Sequence, residues 1–367
     1  MDHAGSSEMN ILIVKLSAIG DVVHTLPALA ALRRRYPRAF ITWVVEEAAA
    51  DLIKDHPYLN QVLISYRKRW LRDLKKGHLK TFGEIRNFIK ELRSRRYDLV
   101  IDFHGLLKSS VIVFLASGER KIGFDSMQEL SGLFIDEKVP EDMQKHAVDR
   151  YLDLVRYLDN KERMLLPSGG SCHAPYAPEG SKENREFLIP VFEAQEKRVA
   201  QLRSANGLEG KFVALNPMAL WKTKLWDDKG FACLCDRIVG EFKMPVVFTG
   251  TKKKDIISIQ TLMSAPSVNL AGETSLRELA CLYRQAELVI TTDSGPMHIA
   301  AAMGTPVVAL FGPTDARRTG PYGNRHRVVS VDIPCRPCFK RKCSTGECMH
   351  GIKAGAVFNA ANEIISN

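Results

Sequence analysis

Short apolar runs alternate with amphipathic helical segments along this chain, and the series occurs twice. In the first half, strands are predicted over 10–15, 40–45, 62–65 and 99–102, and helices over 22–36, 47–54 and 81–96. In the second half, strands are predicted over 212–216, 245–249, 288–292 and 307–311, and helices over 230–242, 275–285 and 298–303. Alternating strands and helices imply parallel sheets with helices on both faces. The predicted fold class is therefore α/β, with two Rossmann-like halves.

A stretch over residues 159–185, rich in Gly, Pro and Ser, interrupts the pattern and is typical of a linker or surface loop. The 367 residues are enough for two domains. We expect an N-terminal domain over 1–175, a C-terminal domain over 186–350, and a last helix over 351–367 that packs back on the N-terminal domain. Ligands of such sheets bind at the carboxyl ends of the strands, so the strand-to-helix loops are the places to search.

The positive charge of the chain is local. Lys and Arg number 52 against 42 Asp and Glu, a formal net charge of +10, and residues 67–96 alone hold 12 Lys or Arg and three acidic residues. One basic strip of this kind indicates an acidic partner, which is a nucleic acid, an anionic membrane surface or an acidic substrate. The strip lacks the interleaved aromatic side chains that single-strand binders use, so nucleic acid is the least favoured of the three.

No segment of the sequence indicates passage through a membrane. The longest apolar runs, such as 111–116, fall far short of the roughly 20 residues that span a bilayer. The N-terminal residues are polar and acidic, without the basic and apolar regions of a secretory signal. We therefore expect a cytoplasmic protein, in whose reducing surroundings the eight cysteines form no disulfide framework.

Two loops that follow strands carry candidate catalytic or phosphate-binding residues. Asp21 comes just after the first strand, where a carboxylate that faces a cleft can act as a general base. A cap on the following helix is the other interpretation, which position alone favours. The sequence TTDSGPMH over 291–298 leaves the N–H groups of Ser294 and Gly295 at a helix start, which suits a phosphate. A helix that simply begins with Pro296 in its first turn is the alternative.

Two further features give weaker signals. Lys224, in the loop over 216–226, can neutralise a diphosphate, although a lone loop lysine is usually just solvated. Four cysteines within 14 residues have a density that suits a structural zinc or an iron–sulfur cluster, with free thiols as the other interpretation. They are Cys335, Cys338, Cys343 and Cys348.

Taken together, these loops resemble glycosyltransferase family 9, the lipopolysaccharide heptosyltransferases. The resemblance runs from about residue 10 to residue 350. In chain order it rests on IVKLSAIGDVVHTLPAL, VIDFHGLLKSS, KLW and TTDSGPMHIAAAMGTPVVALFGPTD. The segments WVVEEA, YRKRW and GLLKS are most similar to the type I heptosyltransferases of that family.

The resemblance implies a GT-B fold, in which two Rossmann-like domains face each other across a cleft. It implies an inverting, metal-independent transfer of heptose from ADP-L-glycero-β-D-manno-heptose to Kdo of the lipopolysaccharide inner core, with no cofactor required. The acceptor, Kdo-lipid A, is expected on the N-terminal domain and the nucleotide sugar on the C-terminal domain. The enzyme is then expected to work peripherally at the cytoplasmic face of the inner membrane, on an anionic surface and without nucleic acid.

Functional positions of the family match residues of this chain. The catalytic base matches Asp21. Donor-binding positions match Asn216, Lys224, Asp293, Ser294, Gly295 and His298. The segments that the family uses around the acceptor contain the expected acceptor-binding residues Lys68, Arg69, Lys108, Arg120 and Lys121. Within the same basic strip, Trp70 and Leu71 are expected to touch the membrane interface.

The chain departs from the family at two places that concern nucleotide contacts. It has Ala219 and Leu220 where the family has a pair of threonines. It has TKKKD after Gly250 where the family has a glutamate, with Asp255 as the candidate substitute. Three alternatives stay open: another family-9 transferase, such as heptosyltransferase II or an enzyme of a different sugar; a GT-B epimerase; and a non-catalytic module that binds nucleotide or nucleic acid.

Overall fold

The structure is a computed structural model that describes residues 9–126, 131–165 and 185–366. The chain divides into two compact units, Met1–Leu188 and Ile189–Asn367. Most of the predicted linker, residues 166–184, lies outside the described residues. The functional roles expected of the two domains stay predictions.

The N-terminal unit is built on one parallel six-stranded sheet. Its strands are β1 (Asn10–Val14), β2 (Phe40–Glu46), β3 (Gln61–Ser65), β4 (Tyr97–Asp102), β5 (Gly118–Phe124) and β6 (Glu137–Val139). Its helices are α1 (Ile19–Arg35), α2 (Glu47–Ala50), α3 (Arg67–Lys75), α4 (Lys80–Leu92), α5 (Leu107–Leu115) and α6 (Ala147–Leu165), with a 3₁₀ turn over Ser131–Phe134. The strand order is β3-β2-β1-β4-β5-β6, so β1 is central.

The central strand is apolar throughout because both faces of the sheet are covered. Residues 11–14 are fully buried, as expected of a parallel strand between two helical layers. Helix α1 begins at Ile19, three residues earlier than predicted, because Ala18 is extended and Asp21 already lies in the first helical turn. Arginines occupy the last turn of α1, where positive charge favours the helix terminus.

Helices α3, α4 and α5 contribute to one hydrophobic core against this sheet. Trp70 lies in that core, 8% exposed, with its ring 5.4 Å from the ring of Phe88. Its indole N–H donates to the carboxylate of Glu84 at 2.8 Å. The expectation that Trp70 touches a membrane is therefore wrong, because its ring is used inside the protein. Leu71, in contrast, is 49% exposed.

The C-terminal unit repeats the architecture with a second parallel sheet. Its strands are β7 (Val213–Asn216), β8 (Val246–Phe248), β9 (Ser267–Asn269), β10 (Leu288–Thr292), β11 (Val307–Leu310) and β12 (Arg327–Val329), in the order β12-β11-β10-β7-β8-β9. Its helices are α7 (Glu193–Ala205), α8 (Asp228–Arg237), α9 (Lys254–Gln260), α10 (Leu276–Arg284), α11 (Gly295–Ala302), α12 (Ala316–Thr319), α13 (Glu347–His350) and α14 (Ala354–Ile365). A 3₁₀ turn spans Lys222–Lys224, and a π turn, Ile238–Phe242, extends α8.

The last helix, α14, belongs to the core of the C-terminal unit. Val357, Phe358 and Ala361 are buried there, among residues of α8 and of the sheet. The Phe358 ring also stacks on Phe242 with centroids 4.8 Å apart. The apolar face of α14 is thus used in the core of its own unit, and the expected packing of the 351–367 helix on the N-terminal domain stays a prediction.

Two parallel six-stranded sheets with covering helices confirm the α/β class and its two Rossmann-like halves. In each sheet the strand order changes direction at the centre, between β1 and β4 in the first sheet and between β7 and β10 in the second. The loops at these two places are where α/β sheets bind ligands. Among the described residues, no helix is both long and apolar enough to cross a membrane.

Candidate active site

The carboxyl edge of the N-terminal sheet gathers charged residues around β1. Val14, which ends β1, pairs with Val44 of β2 on one side and with Asp102, the end of β4, on the other. Lys15 and Glu46 lie at the same edge, and all three charged residues are at most 3% exposed. Charged side chains are almost never buried unless they are paired, so the partners of these three define the site.

Asp21 lies in the first turn of α1, just beyond this edge. Its Oδ2 accepts the N–H of Ala18 at 3.1 Å, so the carboxylate caps its own helix. The capping interpretation of this residue is therefore correct. A carboxylate offers about four lone-pair sites, so the cap holds Asp21 in place and leaves it able to take a proton. Its role as general base stays a prediction.

Lys15 is a residue of this site that the sequence analysis missed. Its ammonium donates to the Tyr151 hydroxyl at 2.6 Å and to the Phe103 carbonyl at 2.8 Å. Burial by itself lowers the pKa of Lys15, but attraction to Tyr151 and Asp21 outweighs it, so the pKa is raised. Lys15 thus places a buried positive charge within electrostatic reach of Asp21. The available signal was a lysine directly after the apolar run of β1.

Asp102 shapes the turn from β4 into α5. Its Oδ1 accepts the N–H groups of His104 at 2.8 Å and Gly105 at 3.2 Å, and its Oδ2 accepts the Ser109 hydroxyl at 2.8 Å. Gly105 has a φ of 67°, a conformation that favours glycine. Burial raises the pKa of Asp102, and the three donors oppose that rise. The DFHGLLKSS segment is therefore built to make this turn.

His104 lies next to the cations of this edge and stays neutral. Burial, and after it the positive charges of Lys15 and Lys108, lower the pKa of His104 to about 2. The imidazole therefore carries no proton charge at physiological pH. It adds a polar ring to the site without adding repulsion among the cations.

Glu46, at the end of β2, holds three cations; we call this group the Glu46 cluster. Nitrogen–oxygen distances from Glu46 are 3.2 Å to Arg67, 3.5 Å to Lys68 and 3.6 Å to Lys108. The Glu46 side chain is 4% exposed, whereas that of Lys68 is 74% exposed. Lys108 also donates to the Ser17 hydroxyl at 2.6 Å, in the loop after β1. One carboxylate does not neutralise three cations, so the cluster keeps a net positive charge.

The other predicted acceptor residues lie elsewhere in the N-terminal unit. Arg69 pairs with Glu84 at 2.6 Å, between α3 and α4. Arg120 pairs with Glu137 at 2.5 Å, and both Arg120 and Lys121 lie opposite the middle of β4 instead of its carboxyl end. The structure therefore brings Lys68 and Lys108 together at Glu46. Arg69 is engaged by Glu84 instead, and the register of β5 places Arg120 and Lys121 away from the carboxyl end of the sheet.

A second polar site lies at the carboxyl edge of the C-terminal sheet. The Lys224 ammonium is 2.5 Å from Oδ2 of Asp293, and the Thr314 hydroxyl donates to the same oxygen at 2.6 Å. The Asp293 side chain is 5% exposed and that of Lys224 is 16% exposed, so the pair is largely shielded from water. The structure thus places in direct contact two residues that the sequence predicts to bind the donor. A shielded, charge-assisted contact of this kind is among the stronger polar interactions in proteins.

Trp221 lies beside this pair, and its ring also contacts a second cation. The Lys224 ammonium is 4.6 Å and the Arg341 guanidinium 4.9 Å from the centre of the Trp221 ring. The Thr223 hydroxyl donates to the Lys340 carbonyl at 2.9 Å and ties the 3₁₀ turn to the Arg341 segment. Arg341 was missed by sequence reasoning, since the two segments are far apart along the chain. The Trp221 ring thus holds two cations near the Asp293 carboxylate, and cations of this kind suit an anionic ligand.

The start of α11 supplies backbone donors to the same edge. Ser294 precedes the helix, Gly295 begins it, and Pro296 lies in its first turn. The first N–H groups of a helix lack partners within the helix and favour anions, particularly phosphates. Asp293 comes directly before these residues, and its contact with Lys224 brings that cation close to the backbone donors.

Asn216 and His298 are also buried in the C-terminal unit, and their donor-binding roles stay predictions. Asn216 is 2% exposed and His298 7% exposed. The Asn216 amide donates to the Thr249 hydroxyl at 3.2 Å, and its oxygen accepts the N–H of Met218 at 3.3 Å. Asn216 therefore fixes the loop after β7. In that loop, Leu220 is 93% exposed, at one of the positions where the family has threonine.

The four cysteines of the segment over 335–348, a possible structural metal site, are free thiols in the structure. Within the described residues, no three His, Cys, Asp or Glu side chains are grouped so as to hold a metal ion. Cys348 lies in the hydrophobic core of the unit, whereas Cys335 and Cys343 are exposed thiols and Cys338 is a half-buried one. The N–H of Gly346 contacts the Cys343 sulfur at 3.4 Å and lowers the pKa of that thiol. Burial, and after it the neighbouring Cys338, Cys335 and Cys343, raise the pKa of the Cys348 thiol.

The sequence profile of glycosyltransferase family 9 (heptosyltransferase) matches residues 85–349. The chain belongs to glycosyltransferase family 9. This family-9 enzyme is 29% identical over 345 residues to lipopolysaccharide heptosyltransferase 1 of Pseudomonas aeruginosa. The match covers 92% of this chain and 88% of that relative. The predicted family and the predicted enzyme class, glycosyltransferase, are confirmed.

Solved structures give the same fold for this family-9 chain. A family-9 glycosyltransferase from Veillonella parvula matches with a TM-score of 0.76 and 22% identity, over 98% of this chain and 97% of that one. The E. coli heptosyltransferase WaaC, solved with ADP-2-deoxy-2-fluoro heptose, matches with a TM-score of 0.70 and 24% identity, over 97% of this chain and 99% of that one. The predicted fold class is confirmed, and the roles of individual site residues stay predictions.

Proposed function

We propose that this family-9 enzyme is a type I lipopolysaccharide heptosyltransferase. It transfers heptose from ADP-L-glycero-β-D-manno-heptose to Kdo of the inner core, on a lipid A anchor at the cytoplasmic face of the inner membrane. Family membership supports the reaction class, and the segments WVVEEA, YRKRW and GLLKS support type I. The observation that carries the proposal is the setting of Asp21, a carboxylate held at the central loop of the N-terminal sheet near the buried Lys15.

Asp21 takes the proton of the acceptor hydroxyl. As that oxygen attacks the anomeric carbon, a new C–O bond forms and the proton passes to the carboxylate. The bond from the anomeric carbon to the diphosphate oxygen breaks, and ADP leaves with the electron pair. Attack from the face opposite the leaving group inverts the configuration of that carbon.

Lys224 and the start of α11 bind the diphosphate of the donor. The leaving ADP gains negative charge in the transition state, and fixed positive groups at that position lower the barrier. Lys224 is held for this task by Asp293, at 2.5 Å. Arg341, which also contacts the Trp221 ring, adds a second cation close by. The N–H groups of Ser294 and Gly295 complete the set of donors.

The Glu46 cluster binds acidic groups of the acceptor. Kdo carries carboxylates and lipid A carries phosphates, and both are recognised by Lys and Arg. Lys68 is the most exposed member of the cluster, and Lys108 reaches the Ser17 hydroxyl four residues before Asp21. Because Lys108 contacts the loop that leads to Asp21, the arrangement supports an acceptor whose acidic groups bind Lys68 and Lys108 while one of its hydroxyls reaches Asp21.

A transfer assay with defined substrates tests the proposal. The full-length enzyme is incubated with ADP-heptose and Kdo2-lipid A, and mass spectrometry looks for the mass of one added heptose, with release of ADP. Asp21→Asn serves as the inactive control. Addition only to an acceptor that already carries one heptose would assign the enzyme to type II, and no addition to either acceptor would contradict the heptosyltransferase proposal.

A further inference from the structure

Helix α5 presents an apolar face to solvent, which is unusual for a helix that covers a sheet. Leu107, Val111 and Phe114 recur at helical spacing on this face and are 50%, 49% and 56% exposed. Phe114 packs on Phe134 with ring centroids 4.8 Å apart, and the neighbouring Leu133 is 71% exposed. We call Leu107, Val111, Phe114 and Leu133 the apolar strip. A contiguous apolar patch of this kind marks an interaction site.

The apolar strip is not a consequence of loose packing. The opposite face of α5 is fully used, since Ile112 and Val113 are 5% and 0% exposed in the core of the N-terminal unit. The hydroxyl of Ser109 is bonded to Asp102 and fixes the start of the helix. The helix therefore has one apolar face for the core and a second one that the core does not need.

Positive charge borders both ends of the apolar strip. At the start of α5, Lys108 belongs to the Glu46 cluster together with the exposed Lys68. At its end, the exposed Arg93 donates to the Leu115 carbonyl at 2.8 Å. The sequence of α5, LKSSVIVFL, contains no acidic residue. An apolar face rimmed by Lys and Arg is the composition of segments that bind anionic membrane surfaces.

We propose that the apolar strip docks on an anionic lipid bilayer, with its side chains at the boundary between headgroups and acyl chains. A second copy of this chain is a poor occupant, because the net charge of +10 makes two copies repel. Docking rests on the proposed function in one respect, which is that the acceptor is anchored in that bilayer. Lys108 joins the first turn of α5 to Ser17, so the docked helix begins at the loop that leads to Asp21. The acceptor then reaches the base without leaving the membrane.

Vesicle binding tests the docking surface. The full-length enzyme, without donor or acceptor, is sedimented with vesicles of phosphatidylcholine and phosphatidylglycerol, and with phosphatidylcholine alone. We expect the double variant Val111→Ser/Phe114→Ser to bind the anionic vesicles about tenfold more weakly than wild type. Ile257→Ser/Leu262→Ser, at positions 52% and 47% exposed in the C-terminal unit, is the matched control and keeps wild-type binding.

A second variant and a second assay keep the test decisive. Leu107→Ser/Val111→Ser avoids the Phe114–Phe134 contact, so it separates lost docking from lost packing if the first variant melts early. Both variants should transfer heptose to a soluble Kdo oligosaccharide at the wild-type rate, which distinguishes failure of docking from failure of the proposed function. Wild-type vesicle binding by both variants would overturn the proposal. Self-association of the wild type that the variants abolish, with vesicle binding unchanged, would assign the strip to a second copy and overturn it as well.

Discussion

The Lys224 ammonium and the Asp293 carboxylate lie 2.5 Å apart at the carboxyl edge of the C-terminal sheet, with little exposure to water. The Thr314 hydroxyl donates to the same carboxylate oxygen and holds the Asp293 side chain in place. The fixed carboxylate in turn positions the Lys224 ammonium. Asp293 is therefore a positioning residue for the cation that we assign to the diphosphate. The pair links the end of β10 to a loop that is about 70 residues earlier in the chain.

Removal of Lys224 tests its assignment to the diphosphate. We expect Lys224→Ala to lower kcat/KM for ADP-heptose by about 10²–10³-fold, because the leaving group loses its main cation and the buried Asp293 carboxylate loses its positive partner. Steady-state kinetics with varied donor measure the effect. Lys222→Ala, at an exposed lysine of the same 3₁₀ turn, is the control and should stay within about twofold of wild type. An equal loss in the two variants would show that the turn, and not the Lys224 charge, matters.

Two substitutions at Asp21 separate its cap from its role as base. Asparagine keeps an oxygen that accepts the Ala18 N–H, so Asp21→Asn should melt close to wild type while kcat falls about 10²–10⁴-fold. Asp21→Ala loses both functions and should in addition lose about 1 kcal/mol of stability. Transfer rates and thermal melting of the two variants provide the comparison. Substantial activity of Asp21→Asn would contradict the assignment of Asp21 as base.

Sequence reasoning was most successful where a signal is local. The apolar run of β1, the capped start of α1 and the loop after β10 each fall within one short segment, and the structure forms all three. Trp70 was misjudged because its burial depends on Phe88 in the next helix, and the periodicity of α3 alone does not show it.

Partners that lie far apart in sequence were not predictable. Arg69 and Arg120 carry the residue type that binds acidic ligands, yet Glu84 and Glu137 pair with them only because the helices and strands meet. Lys15 was overlooked for the same reason, since its partner Tyr151 is 136 residues away. Charge patterns therefore indicated the kind of partner, and the fold decided which cations are available to it.

Lys68 and Arg69 form a matched pair for testing the acceptor site. Lys68 belongs to the Glu46 cluster and is 74% exposed, whereas Arg69 is engaged by Glu84. We expect Lys68→Gln to raise the acceptor KM about five- to tenfold and Arg69→Gln to raise it less, with the donor KM unchanged in both. Kinetics at two salt concentrations test this, because screening should weaken acceptor binding in the wild type more than in Lys68→Gln. Equal effects of the two variants would mean that the basic strip over 67–96 binds the acceptor through its total charge and not through Lys68 in particular.

His56 makes the stability of the N-terminal unit depend on pH. The residue is 2% exposed, its Nε2 lies 3.0 Å from the Leu188 carbonyl, and its Nδ1 accepts the N–H of Tyr58 at 3.1 Å. These contacts fit a neutral ring that donates through Nε2, and burial lowers the pKa of His56 to about 4 from its ordinary 6.5. In the unfolded chain His56 takes up its proton near pH 6.5. The stabilisation is therefore present above that pH and is lost as pH falls toward 4.

Urea unfolding at two pH values measures this contribution. Between pH 7.5 and pH 5 the shift of His56 should cost about 2 kcal/mol of unfolding free energy, since one pKa unit corresponds to about 1.4 kcal/mol. His56→Gln should unfold more easily at pH 7.5, through its lost hydrogen bonds, but should lose less stability on acidification than wild type. His78→Gln, at an exposed histidine in the turn after α3, is the control and should keep the wild-type dependence on pH. An unchanged pH dependence in His56→Gln would show that His56 is not the group that titrates.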